Sequence, residues 1–115
     1  MSGAILNVVY GIPFCGKFGN KRFSLSDDLE QYIEDEDGGF IRFYDAYGDR
    51  FLVVFGVELG SHGEGALLEV NELRLEPTPE EFGQFISEWT NLEEAMQIEI
   101  AKYGEPRVFV IWSNS

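Results

Sequence analysis

The last quarter of the chain, residues 92–112, places a helical pattern directly before a strand pattern. Its sequence is LEEAMQIEIAKYGEPRVFVIW, and residues 108–112 are apolar without interruption. Such a run is typical of a strand that is covered on both faces, so we expect it to be a central strand. The residues with helical spacing ahead of it are Leu92, Ala95, Met96, Ile100 and Tyr103.

Both ends of this predicted helix carry boundary signals. A capping box is expected at its start, in which a polar side chain and a glutamate three residues later satisfy each other's backbone N–H groups. The candidates are Thr90 with Glu93, and Asn91 with Glu94. Gly104 predicts a left-handed stop, and Pro106 prevents the helix from continuing. A helix followed by a buried strand requires a sheet to pack on.

The preceding residues supply that sheet. Residues 5–10 predict a strand closed by Gly11 and Pro13, and residues 40–44 and 50–59 predict a hairpin. In residues 51–59 the odd-numbered positions are apolar and predict one buried face, while Leu52 and Val54 cover the other. The segment GSHGEG at 60–65 predicts a loop, and residues 66–75 fit one bent strand or two short ones.

Two further helices are expected. Ser26 is a candidate N-cap for a helix over residues 27–35, because Asp27 and Asp28 suit the positive end of a helix dipole. Residues 80–89 fit either a helix or a short strand: the apolar spacing and the TPEE start favour a helix, whereas Gly83 weakens it. We favour the helix.

These elements predict one α+β domain over residues 1–115. We expect a mainly antiparallel, twisted sheet of five or six strands with two or three helices packed on it. No run approaches the roughly 18–20 apolar residues of a membrane span, and no basic segment precedes the first apolar run. Cys15 is the single cysteine, which excludes an internal disulfide and favours a reducing compartment. A cytoplasmic protein is therefore expected.

The charge balance is the strongest functional signal. Twenty-one acidic side chains against eight basic ones give a formal net charge of −13. Direct binding to nucleic acid or to an anionic membrane is disfavoured, because both require positive charge. The charge favours a basic protein partner, although acidity can also serve solubility alone.

Two candidate motifs for catalysis or ligand binding are not favoured. Residues 11–17 have the GxxxxGK spacing of a phosphate-binding loop, but Phe18 stands where a Ser or Thr must hold magnesium, so we expect a plain turn. Cys15 and His62 are the one possible thiol–imidazole pair. The simpler interpretation is that Cys15 is a small buried residue and His62 an exposed loop residue. No loop matches a calcium-ligand pattern. We expect no catalytic residue, no metal site and no cofactor.

The acidic residues concentrate at the ends of predicted elements and in loops. Solvated surface is the simplest interpretation; the functional one is an electrostatic face that steers a basic partner, with exposed Tyr47 or Trp89 as anchors. The candidate acidic residues are Asp35, Glu36, Asp37, Asp45, Asp49, Glu58, Glu64, Glu69 and Glu72. Glu99 differs from them because it lies within the apolar stripe of the last helix. We expect it to pair with Arg107 or Arg74.

The stretch TNLEEAMQIEIAKYGEPRVFVIW, preceded by FIRFYDAYGDRFLVVFGVELG, resembles small immunity proteins of bacterial polymorphic-toxin and contact-dependent systems, of the type that guards against deaminase toxins. The shared features are Thr90 with Glu93, Ala95, Gly104, Pro106 and Trp112. The resemblance implies an acidic antitoxin that covers the basic, nucleic-acid-handling active site of a toxin.

The expected function is thus that of a cytoplasmic immunity protein, a monomer or weak dimer, that occludes the active site of a cognate toxin domain. A phage or mobile-element inhibitor that mimics DNA and blocks a defence nuclease is the alternative, and a small enzyme is the third. Mimicry would need carboxylates spaced like phosphates along an extended face, whereas occlusion needs one compact patch with aromatic anchors.

Overall fold

A computed structural model describes residues 4–18, 21–22, 26–35, 40–45, 51–63 and 73–114. The strands are β1 (Ala4–Phe18), β2 (Lys21–Arg22), β3 (Ile41–Asp45), β4 (Phe51–Gly63) and β5 (Arg107–Asn114). The helices are α1 (Asp27–Asp35), α2 (Pro79–Asn91) and α3 (Glu94–Ala101). The predicted α+β class, with helices beside an antiparallel sheet, is confirmed. Of the one or two strands predicted within residues 66–75, residues 66–72 lie outside the described residues, and residues 73–75 are not in a strand.

The two longest strands, β1 and β4, form the centre of the sheet. The strand order is β2-β1-β4-β3, and β5 pairs antiparallel with the first half of β1. The prediction that both faces of β5 are covered is wrong, because Val110 and Trp112 are exposed; among the described strands β5 pairs with β1 alone. The unbroken apolar run does not mean that every side chain is covered. Phe109 and Ile111 on one face, and Val108 on the other, are the apolar residues of β5 that pack against buried residues.

β1 continues through Gly11 and Pro13, which were expected to end it. Gly11 pairs with Gly56 of β4, and a Cβ added to Gly11 would lie 2.2 Å from the Phe55 carbonyl oxygen. A Cβ on Gly56 would lie 2.3 Å from the Tyr10 carbonyl oxygen. Gly11 therefore permits a close backbone approach inside the sheet instead of a turn. Pro13 is accommodated beside a register shift between Pro13 and Cys15.

The glycine pair coincides with a bend of the sheet. β3 and β5 flank opposite halves of the β1–β4 pair, yet they approach each other without hydrogen bonding. Their side chains meet in a small second core, where Phe109 and Ile111 of β5 pack against a buried cluster of Val9, Tyr44 and Val54. The absence of side chains at Gly11 and Gly56 lets the sheet fold towards this face, which we call the concave face.

β4 also exceeds its predicted length. The GSHGEG segment was expected to be a loop, but residues 60–63 continue β4 and pair with residues 5–8 of β1. A register shift between Val8 and Val9 absorbs one extra residue of β4. The predicted β3–β4 hairpin is confirmed, with Ile41 opposite Phe55 and Asp45 opposite Phe51.

The helix starts are defined by specific caps. Ser26 is the N-cap of α1, as predicted, and its Oγ accepts the Leu29 N–H at 3.2 Å. Residues 80–89 lie in α2, which confirms the favoured helix, and Thr78 and Glu81 form its capping box. The capping box expected at Thr90 or Asn91 is wrong, because α2 extends through both residues and α3 begins after Glu93 without a side-chain cap. α3 ends before Gly104, whose φ of 119° confirms the left-handed stop.

The main core lies between the sheet and the helices. Phe85 of α2 is 1% exposed, and its ring centroid lies 5.5 Å from that of Phe55 and 5.9 Å from that of Phe40. Met96 and Ile100 of α3 complete the helix layer. None of the helices in the described part of the chain has the length and apolar character that crossing a membrane requires.

Candidate functional site

Two exposed apolar side chains project from β5 on the side of the sheet that carries the helices. Val110 is 46% exposed and Trp112 is 53% exposed. They alternate with Phe109 and Ile111 of the concave core, so they share the opposite face with Val108. Val110 lies opposite Val8, which is fully buried in the main core. The helix layer therefore covers β1 but stops short of this part of β5.

One flank of α2 is also apolar and exposed. Phe82 and Ile86 lie one turn apart and are 47% and 45% exposed. Tyr10 connects this flank to β5, because its ring centroid lies 6.1 Å from that of Phe82 and Tyr10 pairs with Val108. Burial raises the pKa of the Tyr10 hydroxyl. We call Phe82, Ile86, Val110 and Trp112 the apolar shelf.

A cavity of about 390 Å³ lies where α3 passes the start of α1. Glu99 and Ser26 line it and contact each other. The Ser26 N–H donates to Glu99 Oε2 at 3.0 Å, and the Ser26 hydroxyl donates to Glu99 Oε1 at 2.6 Å. Ala95, Ile98, Lys102 and Tyr103 complete the lining.

The prediction that Glu99 pairs with Arg107 or Arg74 is therefore wrong. Arg74 donates to the Leu59 carbonyl at 2.9 Å and pairs with Glu81, while Arg107 donates to the Glu105 carbonyl at 3.1 Å.

In an ordinary capping box the glutamate comes from the third residue of the same helix, but α1 has Leu29 there. Glu99 fulfils that role from α3 and so couples the two helices.

Much of the described acidity lies at helix starts. Asp27 and Asp28 open α1, Glu80 opens α2, and Glu93 and Glu94 flank the start of α3; all five are exposed. Carboxylates at these positions are stabilised by the helix dipole. Local structure therefore accounts for part of the acidic composition.

One ion pair is present among the described side chains, between Arg74 and Glu81. Burial alone would raise the pKa of Glu81, but hydrogen bonds from Thr78 and Arg74, together with the Arg74 charge, outweigh it and lower that pKa. The five exposed carboxylates at the helix starts have no cationic partner among the described residues. Their charges contribute to the negative field of the protein.

The candidate acidic residues are only partly described. Asp35 ends α1 and Asp45 ends β3, but their side chains are outside the description. Glu58 lies in β4 and accepts the Tyr44 hydroxyl at 3.4 Å, so it borders the concave core instead of forming a free loop carboxylate. The other candidates lie outside the described residues: Glu36, Asp37, Tyr47, Asp49, Glu64, Glu69 and Glu72.

Trp89 is half-buried, contrary to its expected role as an exposed anchor. Its ring centroid lies 5.5 Å from that of Phe55, and it stacks on Phe85 at 6.3 Å. The exposed tryptophan is Trp112 instead. The alternation of Trp112 with Ile111 along β5 could have indicated opposite faces, but not which face is open.

Neither rejected motif forms the site that its residues would need. Residues 11–17 lie within β1 and do not form a loop before a helix. Cys15 pairs with Val53, whereas His62 pairs with Leu6 near the other end of β4, roughly 30 Å further along at 3.3 Å per residue. The two residues therefore cannot act as a pair. Within the described residues, no group of three or more potential ligands could hold a metal ion.

Comparison of this chain with protein-family models, curated proteins and solved structures finds no match.

Proposed function

We propose that this chain is a cytoplasmic immunity protein that binds a basic toxin domain and occludes its active site. The observation that carries the proposal is the excess of negative charge: the net charge is −13, and the carboxylates at the helix starts have no cationic partner among the described side chains. Such a surface attracts a basic protein and repels nucleic acid and anionic lipid.

Inhibition by occlusion places few demands on the inhibitor itself. It requires a rigid surface with complementary charge and a few apolar anchors, whereas catalysis would require a pocket with functional groups brought together. The buried aromatic core around Phe85 supports rigidity, and the apolar shelf supplies candidate anchors. The resemblance of the sequence to immunity proteins supports the same function.

The sheet that presents this surface is proposed to have five or six strands in the complete chain. Five described strands support that number, one of which, β2, has two residues.

The direct test is co-production with the product of the gene immediately upstream, which the proposal expects to contain a toxin domain. We expect growth to be restored, and a one-to-one complex of nanomolar affinity or tighter in calorimetry. Protection at sub-stoichiometric amounts would identify an enzyme, since it requires turnover. Tight binding to a nuclease that does not come from the neighbouring gene would identify the DNA mimic.

Charge reversal separates occlusion from mimicry. Asp35, Glu36 and Asp37 are changed to lysine in one variant, and Glu69 and Glu72 in another. A compact interface should lose affinity in one variant only. Equal losses in both would favour a long charged face, as in a DNA mimic.

A further inference from the structure

We infer that the apolar shelf is the docking surface for a partner segment that combines lysine or arginine with apolar side chains. This inference rests on the proposed function, because it assigns the place and the chemistry of the interface. Its four residues are Phe82, Ile86, Val110 and Trp112.

The shelf is built from two elements that the core holds rigidly. Tyr10 lies between them, with its ring centroid 5.2 Å from buried Phe85 and 6.1 Å from exposed Phe82. On β5, Val110 is anchored by its pairing with Val8, which is fully buried. Exposed apolar groups on a rigid base can bind a partner with little loss of conformational entropy.

The composition of the shelf matches the centre of a protein interface. Aromatic side chains are enriched at such centres and charged side chains are depleted, and β5 has no charged residue after Arg107. Trp112 and Phe82 supply large apolar surfaces that can fill pockets on a partner.

Charge determines which occupant fits. The shelf belongs to a protein with a net charge of −13, and exposed Glu80 and Glu105 lie near the starts of α2 and β5, together with exposed Arg107. A second copy of this chain would bring a second charge of −13 to the same surface, and that repulsion opposes self-association. A cationic segment gains from the same field, so the occupant combines apolar contact with positive charge.

Synthetic peptides can test the shelf before the natural partner is known. The probe is a short peptide of alternating lysine and leucine. One control peptide replaces lysine with glutamate, and the other replaces leucine with serine. We expect the first peptide to bind more tightly than either control, because only it offers both kinds of contact.

Nuclear magnetic resonance locates the bound probe. The two tryptophans give two indole N–H signals, and Trp89 is half-buried while Trp112 is exposed. Titration should shift the Trp112 signal strongly and the Trp89 signal much less. A probe that shifts neither signal would contradict the docking surface.

Matched variants complete the test. Trp112→Ser and Phe82→Ser should each weaken peptide affinity by about tenfold, which corresponds to about 1.4 kcal/mol. Ile98→Ser is the control, because Ile98 is 57% exposed but lies on α3 beside the Glu99 cavity. It should change affinity less than about twofold. Thermal melting of each variant establishes that it is folded.

Four further outcomes would overturn the inference. Equal weakening by Ile98→Ser would indicate non-specific attraction, as would equal binding of the lysine–serine peptide. A wild-type dimer in solution that Trp112→Ser dissociates would identify a second copy as the occupant. If the toxin domain binds tightly but both shelf variants bind it like wild type, the docking surface is wrong while the immunity function stands. Peptide binding at the shelf without toxin binding would reject the function and leave the surface.

Discussion

Replacing Gly11 or Gly56 by alanine should destabilise the fold more than any other single-methyl addition at the glycines described. A Cβ on Gly11 would lie 2.2 Å from the Phe55 carbonyl oxygen and 2.6 Å from the Gly56 Cα. Both neighbours belong to the backbone of the central β1–β4 pair, so relief requires the strands to separate. Overpacking in cores typically costs about 1–3 kcal/mol, and we expect the upper end or beyond here because no flexible side chain can yield.

Gly83 provides the matched control. It lies inside α2, and a Cβ there would meet nothing within 4 Å. Gly83→Ala should therefore stabilise the protein by about 0.5–1 kcal/mol, since alanine has the higher helix propensity.

Urea unfolding followed by circular dichroism measures all three variants. Gly11→Ala and Gly56→Ala should lower the midpoint, and Gly83→Ala should raise it, with an unchanged slope where only stability changes. Thermal midpoints should move by about 3–5 °C per kcal/mol. If Gly11→Ala and Gly56→Ala unfold like wild type, the close backbone approach and the sheet bend that it permits are incorrect.

Three further predictions concern burial, titration and helix coupling. Val53→Ala should cost about 1–3 kcal/mol because Val53 is 1% exposed, whereas Val110→Ala should cost less than about 1 kcal/mol; equal losses in urea unfolding would place β5 back in the core. The lowered pKa of Glu81 means that its carboxylate stabilises the fold above its ordinary value of 4.5 and loses that contribution as pH falls through the folded-state pKa. The Glu81→Gln variant should therefore lose less unfolding free energy than the wild type as pH falls below about 4.5. An unchanged dependence of the unfolding free energy on pH in that range would contradict this role. A double-mutant cycle with Ser26→Ala and Glu99→Ala should give a coupling free energy of about 0.5–3 kcal/mol, and additivity would mean that the cap from α3 is not formed.

The sequence predicted those features that local patterns determine. Ser26 starts α1, Gly104 follows α3 in a left-handed conformation, and alternating apolar positions define the buried face of β4. Each depends on residues a few positions apart, where capping and side-chain periodicity act directly.

The sequence could not determine features that depend on distant partners. Gly11 resembles a strand terminator until Gly56 is known to lie opposite it. Glu99 would require an arginine partner if only the sequence were known. The structure places α3 beside Ser26, whose backbone N–H has Leu29 instead of a glutamate at the third position of its own helix.

The candidate site failed for a similar reason. Trp89 stands among polar residues and Trp112 lies between Ile111 and Ser113, but the exposure of each depends on how the helices pack on the sheet. Trp89 belongs to α2 and packs against Phe55 of the sheet, whereas Trp112 of β5 is exposed.

Association and dissociation rates with the toxin domain, measured across a salt series, test the central claim most directly. If acidity captures the partner and the apolar shelf holds it, reversal of one acidic cluster should lower the association rate and its dependence on salt. Trp112→Ser should instead raise the dissociation rate. An association rate that is independent of salt in the wild-type protein would contradict the proposed role of the negative charge.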